Sequence, residues 1–334
     1  MTFGGERAMT RDGGDAVRMP RDTLVDGDPL DFEESSDVRE RRELHERLHE
    51  IVADRYELVD LLGHGGSGAV YRAVDLLDSQ RAEVAVKLMH KHLRAAAAHQ
   101  ARFQREIRAL RNVTHSAVVR ILDSGRDGGG HLYLVMELLD GEVLEDRLLD
   151  RGLDTREALE VGRQLLGALV AAHQRGIIHR DIKPDNLFLA SAPSGSVRLK
   201  IVDWGIAKLT HPDPQISFQT LDGMILGTPE YMSPELCRGA PVTTAADLWA
   251  AAAVLYQIFA HEPPFEDAQI GRLLLKIVKD DPVPLAERRP DLPTYVTQAI
   301  DKGLSKDPAQ RWQTAAEFAT GLAASAQIAD LDWD

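Results

Sequence analysis

The chain has 334 residues, enough for two domains or one two-lobed unit, and its 44% hydrophobic content can fill a sizeable core. A formal net charge of −14 argues against a nucleic-acid partner, since such proteins present a basic face. One cysteine, Cys237, excludes an internal disulfide and fits a reducing, cytoplasmic setting.

Residues 1–36 are rich in Gly, Asp and Arg and poor in large apolar side chains, so they are expected to be a disordered tail. This stretch carries acids throughout and has no apolar core of the kind a signal peptide needs. Over residues 37–55, Leu44, Leu48, Ile51 and Val52 recur at helical spacing among mixed charges. That pattern predicts an amphipathic helix, either solvated or packed on its own domain, or else set against a partner such as a second copy.

From Tyr56 the pattern turns to strands. Tyr56–Leu62, Ala69–Val74 and Glu83–Leu88 come first, then a helix around Ala101–Val113, then strands over Val118–Ser124 and His131–Glu137. After Gly141 the chain reads as mainly helical to about Ala324, and residues 322–334 read as an acidic tail. The longest apolar stretch, Leu248–Ala260, contains Gln257 and follows Asp247, so it predicts a buried helix and no membrane span. The expected class is α+β, with a small β-rich lobe at 56–139 and a larger helical lobe at 140–321.

Gly63-His64-Gly65-Gly66-Ser67-Gly68-Ala69-Val70 fits G-x-G-x-x-G-x-V, a backbone that can approach phosphates closely. Rossmann folds use a similar spacing, and Glu83 even stands where a ribose-binding acid would sit. A Rossmann loop opens a helix, however, whereas Ala69–Val74 alternates like a strand. Lys87 ends the apolar run Val84-Ala85-Val86-Lys87 and needs an anionic partner there. Glu106, at the edge of the stripe formed by Phe103, Ile107 and Leu110, is the expected one.

The densest chemistry lies in His179-Arg180-Asp181-Ile182-Lys183-Pro184-Asp185-Asn186, followed by Asp203-Trp204-Gly205. Asp181 can accept a proton from an attacking hydroxyl, and Lys183 can neutralise a moving phosphate. Asn186 and Asp203 can hold Mg²⁺, or Mn²⁺ in its place, through oxygen. The run reads as an H-R-D catalytic loop.

Together these motifs resemble the bacterial, eukaryotic-like Ser/Thr protein kinases over residues 56–321. Gly227-Thr228-Pro229-Glu230-Tyr231-Met232-Ser233-Pro234-Glu235 is similar to that family's substrate-docking segment. The resemblance implies a bilobal kinase-like fold and an ATP-dependent transfer to Ser or Thr of protein substrates. It implies that Gly63, Gly65, Gly66 and Gly68 cover the phosphates. Adenine would lie between Leu62, Val70 and Ala85 above and Phe188 below, against a hinge of Glu137 and Leu139 behind Met136. It also implies a structural Glu235–Arg311 pair, and an Asp247 that anchors the catalytic loop. Arg180 would bind a phosphate on the activation segment, with Thr220 the leading acceptor, Ser217 the second, and Thr228 engaged with Asp181 and Lys183. A second copy would serve trans-autophosphorylation.

Some positions depart from the family pattern. Trp204 stands for Phe, Phe188 for Leu, Ser233 for Ala, and Ser67 for an aromatic at the glycine-loop tip. None removes a catalytic group. Two other functions compete. A pseudokinase scaffold would lose the equivalents of Lys87, Asp181 or Asp203, and a small-molecule kinase would lack the 227–235 segment.

Overall fold

The computed structural model describes residues 36–65, 68–90, 97–191, 197–204 and 229–323. The tail at 1–35, residues 324–334, Gly66, Ser67, Ser217, Thr220 and Thr228 lie outside the described residues. The chain divides into Met1–Arg42 and a compact body, Glu43–Asp334. Of the first unit only the opening of helix α1 (Ser36–Glu46) is described.

The smaller lobe is an antiparallel sheet in the order β1-β2-β3-β4-β6-β5. Its strands are β1 (Ile51–Val52), β2 (Tyr56–Gly65), β3 (Gly68–Asp75), β4 (Glu83–Met89), β5 (Ile121–Arg126) and β6 (Leu132–Glu137). Helix α2 (Ala97–Arg111) packs on one face. Because β2 turns directly into an antiparallel β3, the glycine cluster opens a hairpin and not a helix, which removes the Rossmann reading.

Strand alternation decides which side chains face which way. Ala85 and Met89 of β4, with Leu132, Leu134 and Met136 of β6, join the core that includes Phe103, Ile107 and Leu110 of α2. Their neighbours Val84, Val86, Leu88, Tyr133 and Val135 point the other way, into a second cluster with Tyr56, Leu58, Tyr71 and Ala73. Leu44, Leu48 and Ala53 lean on that second cluster, and the Tyr71 hydroxyl donates to the Leu44 carbonyl at 3.0 Å.

The helix expected through Arg55 is corrected here. It ends at Glu46, and Ile51–Val52 pairs with β2 as a strand. His49, Ala53 and Asp54 take positive φ of 68°, 53° and 54°, and left-handed residues interrupt a right-handed helix.

The larger lobe contains α3 (Leu144–Asp150), α4 (Thr155–His173), α5 (Pro234–Cys237), α6 (Thr244–Ala260), α7 (Ile270–Lys279), α8 (Leu285–Arg288), α9 (Thr294–Gly303) and α10 (Ala315–Leu322). Helix α4 starts in a capping box: the Asp154 carboxylate accepts from the Glu157 N–H, and Glu157 accepts from the Asp154 N–H. Helix α6 is apolar nearly all round and is buried from Ala246 to Tyr256. Among the described residues no helix is long and apolar enough to cross a membrane.

Within the region that reads as mainly helical after Gly141 the structure also holds a small antiparallel sheet. Its strands are β7 (Gly141–Val143), β8 (Leu187–Ala190) and β9 (Arg198–Ile201), in that order. The β8–β9 hairpin matters most for the site. The catalytic run leads into β8, and Asp203 follows β9.

Candidate active site

The catalytic run is held by one buried carboxylate. Asp247, in the first turn of α6, is 1% exposed. It accepts from the backbone N–H of His179 and of Arg180, each at 2.8 Å, and from His173 Nε2 at 2.8 Å. Three donors satisfy an anion that would otherwise be costly to bury, and they fix the loop to the buried helix α6.

His179 is fully buried, with its Nε2 3.2 Å from the Val202 carbonyl and its Nδ1 accepting from the Asp181 N–H at 3.3 Å. A carbonyl can only accept, so the ring proton sits on Nε2. Burial pushes the imidazole pKa down, with Asp247 and other carboxylates opposing in part. The ring lies against Trp204 at 4.8 Å and 50°. The Trp204 indole N–H donates to the Ile201 carbonyl at 3.3 Å, so the larger aromatic at this position is satisfied. Leu110 belongs to the same buried cluster as Trp204.

A pH dependence follows. His115 is also shifted down, by burial and by Arg163. Above the ordinary imidazole value of 6.5 both states keep these rings neutral, and below it the unfolded chain takes up protons first. Stability is therefore full above pH 6.5 and falls as the pH drops towards the folded values. The thermal midpoint should fall between about pH 7.5 and about pH 5.5. A flat profile across that window would contradict the buried, neutral imidazoles.

Asn186, 5% exposed, donates from Nδ2 to the Asp181 carbonyl at 2.7 Å and to Asp181 Oδ2 at 3.0 Å. These bonds orient the Asp181 carboxylate and leave Asn186 Oδ1 as an acceptor. Leu187 stands opposite Ile201, and the Val202 N–H donates to the Asn186 carbonyl at 2.9 Å. The hairpin thereby brings Asn186 beside Asp203. Arg180 and Asp203 both hold positive φ, 69° and 54°. Non-glycine residues adopt this region at a cost, and such strain gathers at functional sites. Lys183 Nζ stands 3.7 Å from Asp185 Oδ2.

Lys87 shares a strand face with Ala85 and Met89, so it points into the space under the sheet and is 5% exposed. The expected Lys87–Glu106 pair is corrected. Lys87 Nζ lies 2.5 Å from Asp203 Oδ1, while Glu106 stands 3.8 Å from Arg105. A buried ammonium takes the anion that reaches it, and the half-buried Glu106 side chain stands by Arg105 instead. Helical periodicity placed Glu106 at the border of the apolar stripe but could not say how α2 sits on the sheet.

The Asn186 side-chain oxygen Oδ1 and the Asp203 carboxylate are hard donors at the two ends of the β8–β9 hairpin. They fit Mg²⁺ or Mn²⁺, which are commonly held by one or two protein groups plus substrate phosphates. Among the described residues no group of three or more His, Cys, Asp or Glu could hold a metal by itself.

The residues expected to face the nucleotide stand on or beside β2, β3, β4, β6 and β8. A Cβ on Gly63 or Gly65 would meet nothing within 4 Å, so protein packing does not demand glycine there. Gly68 differs. At φ +143° its Cβ would lie 2.1 Å from the Leu88 carbonyl oxygen, so the β3–β4 approach requires glycine. Leu62 is 49% exposed, Val70 packs against the main core, and Ala85 stands opposite Met136. Phe188 stands opposite Val143 on one side and Lys200 on the other. Leu139 is partly buried against the core.

One pair had no signal in the sequence. Lys200 Nζ lies 2.6 Å from Glu137 Oε1, which also accepts from the Arg120 N–H at 2.9 Å. Burial pushes the Glu137 carboxyl up, but Lys200 and the Arg120 N–H outweigh it and hold the pKa below the usual range. Glu235 and Arg311 meet in a forked pair, two bonds of 2.7 Å, with the Arg311 side chain wholly buried. Beside the catalytic loop, burial raises the Glu145 pKa, and the nearby Asp185, Asp146 and Glu230 raise it further.

Residues 56–320 match the model of the protein kinase domain. The serine/threonine-protein kinase pkn2 of Myxococcus xanthus is 38% identical over 277 residues, covering 82% of this chain and 33% of that protein. The serine/threonine-protein kinase PknB of Mycolicibacterium smegmatis is 35% identical over 275 residues, covering 81% of this chain and 43% of that protein. The chain thus spans less than half the length of these relatives. Among solved structures, the PknI kinase domain of Mycobacterium tuberculosis is similar with a TM-score of 0.63 and 28% identity, covering 82% of this chain and 97% of that one. The chain belongs to the protein kinase family, through a two-lobed domain at residues 56–320.

Proposed function

We propose that the protein transfers the γ-phosphoryl group of ATP to Ser or Thr hydroxyls of protein substrates. The observation that carries this reading is the convergence of Lys87, Asp181, Asn186 and Asp203 at the ends of the β8–β9 hairpin. Phosphoryl transfer needs little covalent work from a protein and much positioning and charge neutralisation, and these residues supply both.

Asp181 receives the proton of the attacking hydroxyl, in an orientation kept by Asn186. Lys183 neutralises the moving phosphate. Lys87, on its rigid strand and anchored by Asp203, is placed to meet the α- and β-phosphates. Mg²⁺, held by Asn186 and Asp203, would supply charge neutralisation at the phosphates. Adenine lies between Leu62, Val70 and Ala85 above and Phe188 below, along the backbone of Glu137 and Leu139 behind Met136. The open space over Gly63 and Gly65 supports a close approach of phosphates to that backbone. The Ser/Thr preference rests on Lys183, two residues after Asp181, and on the Ser/Thr kinases among the relatives. A cytoplasmic site of action, where ATP and protein substrates meet, belongs to the same reading.

The test is incubation with ATP labelled in the γ position, Mg²⁺ and a generic protein substrate. Label should enter protein from γ-labelled and not from α-labelled ATP. Absence of transfer with intact ATP binding would favour a scaffold.

Control is proposed to run through Arg180. A phosphate at Thr220, with Ser217 as the second choice, would add nearly two charges for an arginine to bind. Transfer between two copies would place it there. Mass spectrometry should find Thr220 modified in wild-type protein and unmodified in an Asp181→Asn variant. A fully active Thr220→Ala enzyme would place the switch elsewhere.

A further inference from the structure

The Lys200–Glu137 pair crosses the two lobes. Glu137 closes β6, where the chain leaves the small lobe, and Lys200 belongs to β9 of the large lobe. Their atoms are 2.6 Å apart, with side-chain exposures of only 14% and 21%. The Glu137 carboxylate is fixed on its own lobe by the Arg120 N–H, and the Glu137 N–H donates back to the Arg120 carbonyl at 3.0 Å. The cation therefore grips a rigid anion.

What lies around the pair links it to the nucleotide. Lys200 stands opposite Phe188 across the β8–β9 ladder, and directly opposed residues of an antiparallel pair project from the same face. The lysine stem thus runs beside the side chain proposed as the adenine floor. Its ammonium ends on the residue whose backbone is proposed to face the purine edge. The next residue, Ile201, exchanges backbone bonds with Ala117 and Val119 at 2.7 and 3.3 Å, and three residues beyond Lys200 Asp203 reaches Lys87. The segment that carries Asp203 is thus held to the small lobe by the Ile201 backbone and by two side-chain pairs, Lys200 with Glu137 and Asp203 with Lys87.

We propose that Lys200 is a positioning residue for ATP: by pairing with Glu137 it sets the hinge backbone of Glu137–Leu139 against the β8–β9 hairpin that carries Phe188 and Asp203. This rests on the placement of adenine given above. Lys200 touches neither the reacting atoms nor, in this reading, the purine. Its contribution is uniform binding, which is present before and during transfer, so its loss raises KM for ATP and leaves kcat. Breaking a half-buried pair also leaves Glu137 uncompensated, so fold integrity is followed alongside.

The experiment is steady-state kinetics on the full chain, with thermal midpoints measured for every variant. Lys200→Met should raise KM for ATP about tenfold, with kcat within about twofold and KM for the protein substrate unchanged. Lys200→Arg should restore KM to within about twofold, because its fork can reach the same carboxylate. Glu137→Gln should mimic Lys200→Met, and the double variant should be no worse than the worse single. An unchanged KM in Lys200→Met overturns the proposal. So does a loss confined to kcat, failure of Lys200→Arg in a folded protein, or additive effects in the double variant. Ala85→Val separates this from the pocket itself. If bulk at Ala85 leaves KM for ATP unchanged, adenine lies elsewhere and the placement fails. If it raises KM while Lys200→Met does not, the placement stands and the tether fails.

Discussion

Asp181→Asn is expected to lower kcat by about 10³-fold, roughly 4 kcal/mol of barrier, and to leave ATP affinity nearly unchanged. Asparagine has the same shape and can still accept from Asn186 Nδ2, now 3.0 Å from Asp181 Oδ2, so the loop should keep its geometry. The backbone anchor on Asp247 is untouched. What disappears is the negative charge and the ability to take a proton from the incoming hydroxyl. ATP binding, measured by calorimetry, should separate the two effects. Retention of more than a tenth of the wild-type kcat would show that another group accepts the proton.

Glu235→Ala is expected to cost about 3–5 kcal/mol of stability, because it leaves a buried guanidinium without its anion. The Arg311 side chain is wholly buried. Besides Glu235 it donates to the carbonyls of Ser305, Lys306 and Ala245, and it lies 4.8 Å from the centre of the Trp249 ring. None of these partners is an anion, and Arg311 is in turn what holds the Glu235 carboxyl below its usual pKa range against burial, which pushes it up. A thermal midpoint lowered by roughly 10 °C is the corresponding shift. The double replacement Glu235→Met with Arg311→Met should lose less than Glu235→Ala alone, because removing both charges leaves nothing uncompensated. Equal losses would mean that packing around the Arg311 stem, and not the charge pair, holds α5 to this part of the lobe.

How far these features could be read from the sequence depended on their span. Asp181, Lys183 and Asn186 sit within a few residues of each other, so a local motif places them together. The alternation of Val84, Val86 and Leu88 against Ala85 and Lys87 made β4 and the inward direction of Lys87 legible. The partner of Lys87 was not, because that depends on how α2 docks on the sheet. The Glu106 and Asp203 carboxylates were both available, and only the structure shows Asp203 at 2.5 Å. Glu235–Arg311 entered through family resemblance, since neither residue type nor spacing links positions so far apart. Lys200–Glu137 escaped notice because β8 and β9 are four residues each, within a region that reads as helical. The break after Glu46 escaped for another reason. The left-handed turns at His49, Ala53 and Asp54 use neither glycine nor proline, the residues by which a sequence usually announces a reversal.

The proposed activity is transfer of the γ-phosphoryl group of ATP onto Ser or Thr hydroxyls, with Asp181 taking the proton. It is tested most directly by phosphoamino-acid analysis of a generic protein substrate after incubation with γ-labelled ATP and Mg²⁺, for wild type and Asp181→Asn in parallel. Wild type should yield phosphoserine and phosphothreonine, and the variant a rate about 10³-fold lower. Label on tyrosine alone, or equal label with both proteins, would contradict it.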